Sequence, residues 1–244
     1  MQYRISLNNV SFSYEKTKVL ENISFDVENN DFFAIVGPNG GGKTTILKLI
    51  LGLIRPDQGE VFILGKKITQ VGTGKIGYVP QFSHHDMKFP ISVQDVVFQG
   101  LMNSRSFSPF SSLEDRKIVD EALEKVGLTD RSNMRFGELS GGLKQRTLIA
   151  RAIVSQPEIL LLDEPVASVD SSVERDIYEM LREFNEKMTI LMVSHDLGFV
   201  SHFVNKVGCV NRTMVCHNTA EVTSEDMDSL YNRKSLMIKH SCGI

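Results

Sequence analysis

Residues 32–50 read FFAIVGPNGGGKTTILKLI. Five apolar residues, Phe32 to Val36, lead into the glycine-rich run Gly37 to Thr45, and Ile46 to Ile50 resumes an apolar pattern. Glycines and a lysine therefore stand between a buried strand and a helix, the order of a phosphate cradle. Glycines at 37, 40, 41 and 42 let the backbone curl and present consecutive N–H groups, while the following helix aims its positive end at the loop. Lys43 supplies a mobile charge for β- and γ-phosphates, and the Thr44 hydroxyl is placed to hold Mg²⁺.

Outward from this stretch, 244 residues with 41% hydrophobic content suffice for one large core, or one domain with an inserted lobe. Apolar runs such as Ile159 to Leu162 are far shorter than the roughly 20 residues of a membrane-spanning helix. The opening MQYRISLNNV alternates like a strand and has no basic segment leading into an apolar signal core, so a cytoplasmic location is expected. Cys209, Cys216 and Cys242 are an odd count without CxxC spacing, which points away from a disulfide framework or a structural zinc site. A net charge of -3 disfavours a nucleic-acid backbone as partner.

Ile5 to Tyr14 and Val19 to Val27 read as a hairpin turning at Glu15 to Lys18. Tyr14 either stacks on a purine or packs within the hairpin. After a turn at Arg55 to Gly59, Glu60 to Leu64 returns as a strand. The next, Lys75 to Val79, ends in Pro80-Gln81, and Gln81 is either a sensor of Mg²⁺ or water or a solvated loop residue. Ser92 to Leu101 and Leu113 to Val126 carry helical spacing, the second with Leu113, Ile118, Val119, Ala122, Leu123 and Val126 on its apolar face; Ser104 to Ser112 reads as a surface loop. Leu139-Ser140-Gly141-Gly142 feeds another helix to Val154, as a second anion site or an ordinary cap. The buried strand Ile159 to Leu162 ends in Asp163-Glu164-Pro165, and two carboxylates at a central strand tip call for a cation or a reacting proton. Asp163 suits the Mg²⁺ shell and Glu164 a general base for water. Asp170 precedes a polar helix, Ser171 to Lys187, and the strand Thr189 to Val193 delivers His195, which either meets a γ-phosphate oxygen or is structural.

Tyr14, GPNGGGKT, Gln81, LSGG, ILLLDEP, Asp170 and His195 stand in the order and approximate spacing of the ATP-binding cassette (ABC) ATPases, which the chain resembles from about Ile5 to Val210. The resemblance implies an α/β fold: a P-loop NTPase core with an antiparallel β subdomain and an inserted helical subdomain. In one ABC ATPase domain, residues 1–81 and 156–211 would form the nucleotide-binding core, 82–155 the helical subdomain with the signature motif, and 212–244 a C-terminal extension. It further implies ATP held by Tyr14, by Gly37, Pro38, Asn39, Gly40, Gly41, Gly42, Lys43, Thr44 and Thr45, and by Ser140, Gly141, Gly142 and Asp170, the last four acting across a head-to-tail homodimer. Thr44, Gln81 and Asp163 would attend Mg²⁺, with Lys43, Gln81, Glu164 and His195 as the catalytic set. Leu143 departs from the glutamine that many members carry after LSGG; Lys43, Glu164 and His195 are intact, so ATPase activity is expected.

Without a membrane span, a transport cassette of this size would dock on a permease on the cytoplasmic side of the membrane, in a groove near Gln81 for which Phe82, Phe89, Val97 and Met102 are candidates. GPNGGGKT, FPISVQDVVFQGL, EPVASVD and VNRTMVCHNTAEV resemble cassettes of zinc and manganese importers, which would add an extracytoplasmic substrate-binding protein. A cassette for another solute, or a soluble ABC ATPase such as one in iron–sulfur cluster assembly, is the alternative. His84-His85-Asp86, Cys216-His217 and His240-x-Cys242 lack four-ligand zinc spacing and read as loop and tail.

Overall fold

The apolar run ahead of the cradle is strand β3 (Phe32–Val36), buried along its whole length. The computed structural model describes residues 3–71, 74–81, 90–102, 112–166, 171–195 and 202–219. Parallel partners flank β3: β8 (Thr189–Ser194) on one side and β9 (Lys206–Asn211) on the other. β7 (Ile159–Asp163) and β6 (Ile76–Val79) extend the sheet beyond β8, and β10 (Thr213–Asn218) adds an antiparallel edge beside β9. The order is β10-β9-β3-β8-β7-β6.

Both faces of this sheet are covered, so its strands are continuously apolar, and the two-residue period divides them between two cores. Phe33 and Ile35 face one cluster, Phe32, Ala34 and Val36 the other. On the first side packs helix α1 (Lys43–Ile50), through Ile46, Leu47, Leu49 and Ile50. Over it lies a second, antiparallel sheet of β1 (Ile5–Tyr14), β2 (Thr17–Val27), β4 (Gln58–Ile63) and β5 (Lys66–Lys67), ordered β2-β1-β4-β5. The β1–β2 turn is tighter than the expected four residues: Tyr14 pairs with Thr17 across Glu15 and Lys16.

The other face carries α2 (Val93–Phe98), α3 (Leu113–Lys125), α4 (Gly141–Ile153) and α5 (Ser171–Asn185). Caps set their starts: the Ser92 hydroxyl accepts from the Asp95 amide, and Ser112 with Asp115 closes a reciprocal capping box. Val119, Ala122, Leu123 and Val126 are buried as the spacing predicts, but Leu113 is 86% exposed. It is the first residue after the cap, where the helix has not yet turned its apolar stripe inward. The serine-rich residues 104–111 lie outside the described residues.

The sequence boundary at 211/212 needs correction. Arg212, at φ 62°, is the turn of the β9–β10 hairpin, and the chain belongs to the main sheet through Asn218. Polar residues along β10 hid this strand; it is an edge, exposed at Val215 and Cys216, and needs no unbroken apolar run.

Candidate active site

The cradle joins the end of β3 to the start of α1. A methyl group on Gly37 would stand 2.0 Å from the Val210 carbonyl oxygen, so β9 passes directly beneath the loop. Gly42, the N-cap of α1, sits at φ 103°, and a side chain there would meet Leu20 of β2 at 2.4 Å. Lys43 is only 6% exposed, and its Nζ donates to the Gly37 carbonyl (2.8 Å) and the Pro38 carbonyl (3.0 Å). Burial pulls its pKa below the ordinary lysine range, against the opposing pull of Glu164 and Asp163. The loop thus holds a desolvated cation on weak carbonyl partners, electrostatically suited to receive an anion.

Asp163 and Glu164 leave the C-terminal tip of β7 in the crevice where open parallel sheets hold ligands. Asp163 is buried at 4% exposure, and desolvation raises its pKa although a hydrogen bond with Thr44 acts the other way. Glu164 adopts φ 46° and donates its amide to the Val193 carbonyl at 3.0 Å, which swings its side chain out of the β7 face. Its Oε2 accepts from Gln81 Nε2 at 2.9 Å and lies 3.6 Å from His195 Nδ1. Strand order explains the meeting: β6, β7 and β8 are neighbours, and Gln81, Glu164 and His195 follow their C-terminal ends. Lys43, Thr44, Gln81, Asp163, Glu164 and His195 therefore converge.

Ser140 caps α4 from an exposed position, but its hydroxyl makes no capping hydrogen bond. A methyl on Gly142 would meet Val173 Cγ1 at 2.3 Å, so the start of α4 abuts the first turn of α5. Leu143 packs half-buried on the helical core, an apolar use for a position just beyond the glycines. Tyr14 is 44% exposed and lies edge-on to Phe12, with centroids 4.8 Å apart. Asp170 lies outside the described residues, as do the His84-His85 pair and His240-x-Cys242; Cys216 and His217 are on β10.

A groove of about 760 Å³ opens at the seam between the α/β core and the helical lobe, walled by Leu51, Leu53, Tyr78, Gln99 and Arg151 among others. Leu53 is 67% exposed there. Val97, a sequence candidate for such a groove, is instead fully buried in the helical core, because it lies on the inner stripe of α2; Met102 is exposed, and Phe82 and Phe89 lie outside the described residues. Sequence reasoning missed Leu20 and Val210, which press on the cradle, and Tyr78, half-buried beside Asp163. None bears a motif; only the packing singles them out.

A family model described as ABC transporter matches residues 20–167. Over 220 residues the chain is 43% identical to the zinc uptake system ATP-binding protein ZurA of Listeria innocua, covering 88% of this chain and 86% of that protein. It is 38% identical over 222 residues to the manganese transport system ATP-binding protein MntA of Synechocystis, covering 90% and 85% respectively. Among solved structures, cbiO1 of Clostridium perfringens, part of the ABC transporter complex cbiONQ, superimposes with a TM-score of 0.81 at 26% identity, over 95% of each chain.

Proposed function

The chain belongs to the ABC transporter family and is its ATPase domain, and from that premise we propose that it powers the import of a divalent metal cation, zinc or manganese. The cargo reading is supported by relatives whose names state zinc uptake and manganese transport, at 43% and 38% identity over most of the chain. Hydrolysis rests on one observation: a carboxylate at a sheet tip, Glu164, is held between Gln81 and His195 within electrostatic reach of the buried Lys43.

ATP phosphates would replace the Gly37 and Pro38 carbonyls as partners of Lys43, restoring to its ammonium the charge interaction that burial removed. Thr44, Asp163 and the carbonyl oxygen of Gln81 are hard oxygen donors of the kind Mg²⁺ selects, and the raised pKa of Asp163 marks a carboxylate that gains from a cation. Bound there, Mg²⁺ would neutralise charge on the β- and γ-phosphates. Glu164 accepts the proton of the attacking water, and Gln81 and His195 keep its Oε2 aimed at that position. Tyr14 offers its exposed ring to adenine.

Two copies, head to tail, would each add Ser140, Gly141, Gly142 and Asp170 to the partner's nucleotide; the uncommitted Ser140 hydroxyl supports this. Among the described residues no helix is long and apolar enough to cross a membrane. The subunit then works peripherally, on the cytoplasmic side, through a permease helix seated in the groove beside Leu53 and Tyr78, with a substrate-binding protein on the far side. The deciding experiment reconstitutes the subunit with its permease in vesicles. ATP-dependent uptake of zinc or manganese, lost in Glu164→Gln, is the expected result; transport of another solute only, or none, would overturn the cargo assignment.

A further inference from the structure

The seam groove has one charged residue among the described residues that line it. Leu51, Leu53, Ile68 and Ile76 supply apolar wall, Tyr78 and Gln99 uncharged polar tips, and Arg151 the single charge. Arg151 stands in the last turn of α4, where the helix C-terminus favours a cation. Its carbonyl is pressed against the 3-10 turn Gln99–Leu101 that follows α2: a methyl on Gly100 would stand 2.0 Å from that oxygen. This close fit fixes the backbone from which the side chain reaches into the groove.

Other basic residues at the seams of this fold have carboxylate or carbonyl partners. Arg146 donates to the Val126 carbonyl at 3.1 Å and approaches Asp176 at 3.7 Å; Arg4 and Lys75 share Glu158. Among the described residues Arg151 has no such partner. Burial alone acts on its guanidinium, lowering its pKa from the usual arginine value, while arginine keeps its charge at any physiological pH. A desolvated guanidinium without an anion is a cost to the isolated subunit, offset when a carboxylate arrives in its fork geometry.

Resting on the reading that a permease helix occupies this groove, we propose that the helix presents an aspartate or glutamate to Arg151, and that this pair, made only in the complex, selects the permease. The apolar wall would take the helix's hydrophobic anchors, and the single cation would fix its register. Apolar contact alone is permissive, since many amphipathic helices fit such a wall. A half-buried charge that docking would cover rejects helices without the carboxylate, because they would leave Arg151 both desolvated and unpaired.

The test uses the full chain and the permease subunit in detergent micelles, with affinity and thermal unfolding measured separately. Arg151→Met keeps an unbranched apolar stem and removes the charged guanidinium. It should leave the Tm of the isolated subunit unchanged or higher, since a half-buried unpaired charge is removed, yet weaken permease binding about 30-fold or more. Replacing the matching permease carboxylate by arginine should weaken the wild type similarly, and Arg151→Glu should restore binding to that permease. Full-strength permease binding by Arg151→Met would overturn the carboxylate pair, as would a Tm lowered by several degrees, which marks an internal structural role. Leu53→Arg separates the two levels. If it abolishes binding while Arg151→Met does not, the groove is the docking site and only the charge pair fails; if wild-type subunit does not bind permease at all, the underlying reading falls, and this inference with it.

Discussion

Glu164 occupies the left-handed region at φ 46°, a conformation that costs a non-glycine residue about 1–3 kcal/mol. The amide bond to Val193 holds it there, and the return is a carboxylate turned toward Gln81 and His195 instead of lying along the β7 face. Glu164→Gln keeps size and backbone but cannot accept a proton. Turnover should fall at least about 100-fold with ATP affinity preserved, measured by phosphate release beside equilibrium nucleotide binding; near-normal hydrolysis would remove Glu164 from the mechanism. Gly37→Ala tests the cradle by sterics alone. A methyl 2.0 Å from the Val210 oxygen forces β9 and the loop apart, at a cost of about 1–3 kcal/mol, so both a lower Tm and lost ATP binding are expected. An alanine variant that binds ATP normally would mean that this contact relaxes freely.

At the scale of elements, one of the polar ties between the antiparallel sheet and the main sheet is centred on a single carboxylate. Glu158, immediately before β7, meets Arg4 just ahead of β1 and Lys75 just ahead of β6. Its pKa lies below the ordinary glutamate value, first through the Lys75 hydrogen bond, then through the charges of Lys75 and Arg4, with burial acting oppositely. A depressed folded-state pKa means the contribution is complete above the unfolded value of 4.5 and is lost as pH falls through the folded one. Glu158→Gln should therefore lower Tm at neutral pH and converge with wild type on acidification below about pH 4. Solvent screening at a side chain 36% exposed limits the effect to about 1 kcal/mol, and high salt should shrink it further. A Tm gap that persists at pH 3 would show that the glutamine acts through packing rather than charge.

For the whole molecule, the site in one chain ends at its own Lys43, Asp163 and Glu164, while Ser140 stands at an exposed helix start with its hydroxyl uncommitted. A two-fold pair would bring that helix start onto the partner's phosphates. With Mg-ATP, Glu164→Gln should double in mass by light scattering, return to monomer with ADP, and fail to pair once Lys43→Ala is added. A strictly monomeric Glu164→Gln protein, even with the permease present, would remove the shared-nucleotide arrangement. This expectation comes from the family resemblance that the order of motifs carries, and both glycine turns behind it are local signals: glycines ahead of an apolar helix, the second preceded by Ser140. Strand β10 is not legible in the sequence, because Thr213 to Asn218 is a polar edge whose identity depends on pairing with β9.

By itself the sequence determined the pieces: the buried strand, the glycine turn with Lys43 and Thr44, the helical spacing of Ser92 to Leu101 and Leu113 to Val126, and the acidic tip at Asp163-Glu164. Each depends on neighbours a few residues apart, where periodicity, capping and turn chemistry act. Only the tertiary structure decided which tips meet. Gln81 and Glu164 are 83 residues apart, and nothing local places β6 beside β7 and β7 beside β8. Leu20 under the cradle and Arg151 in the seam likewise take their roles from packing, because side-chain convergence follows strand order and the fit of two cores on one sheet.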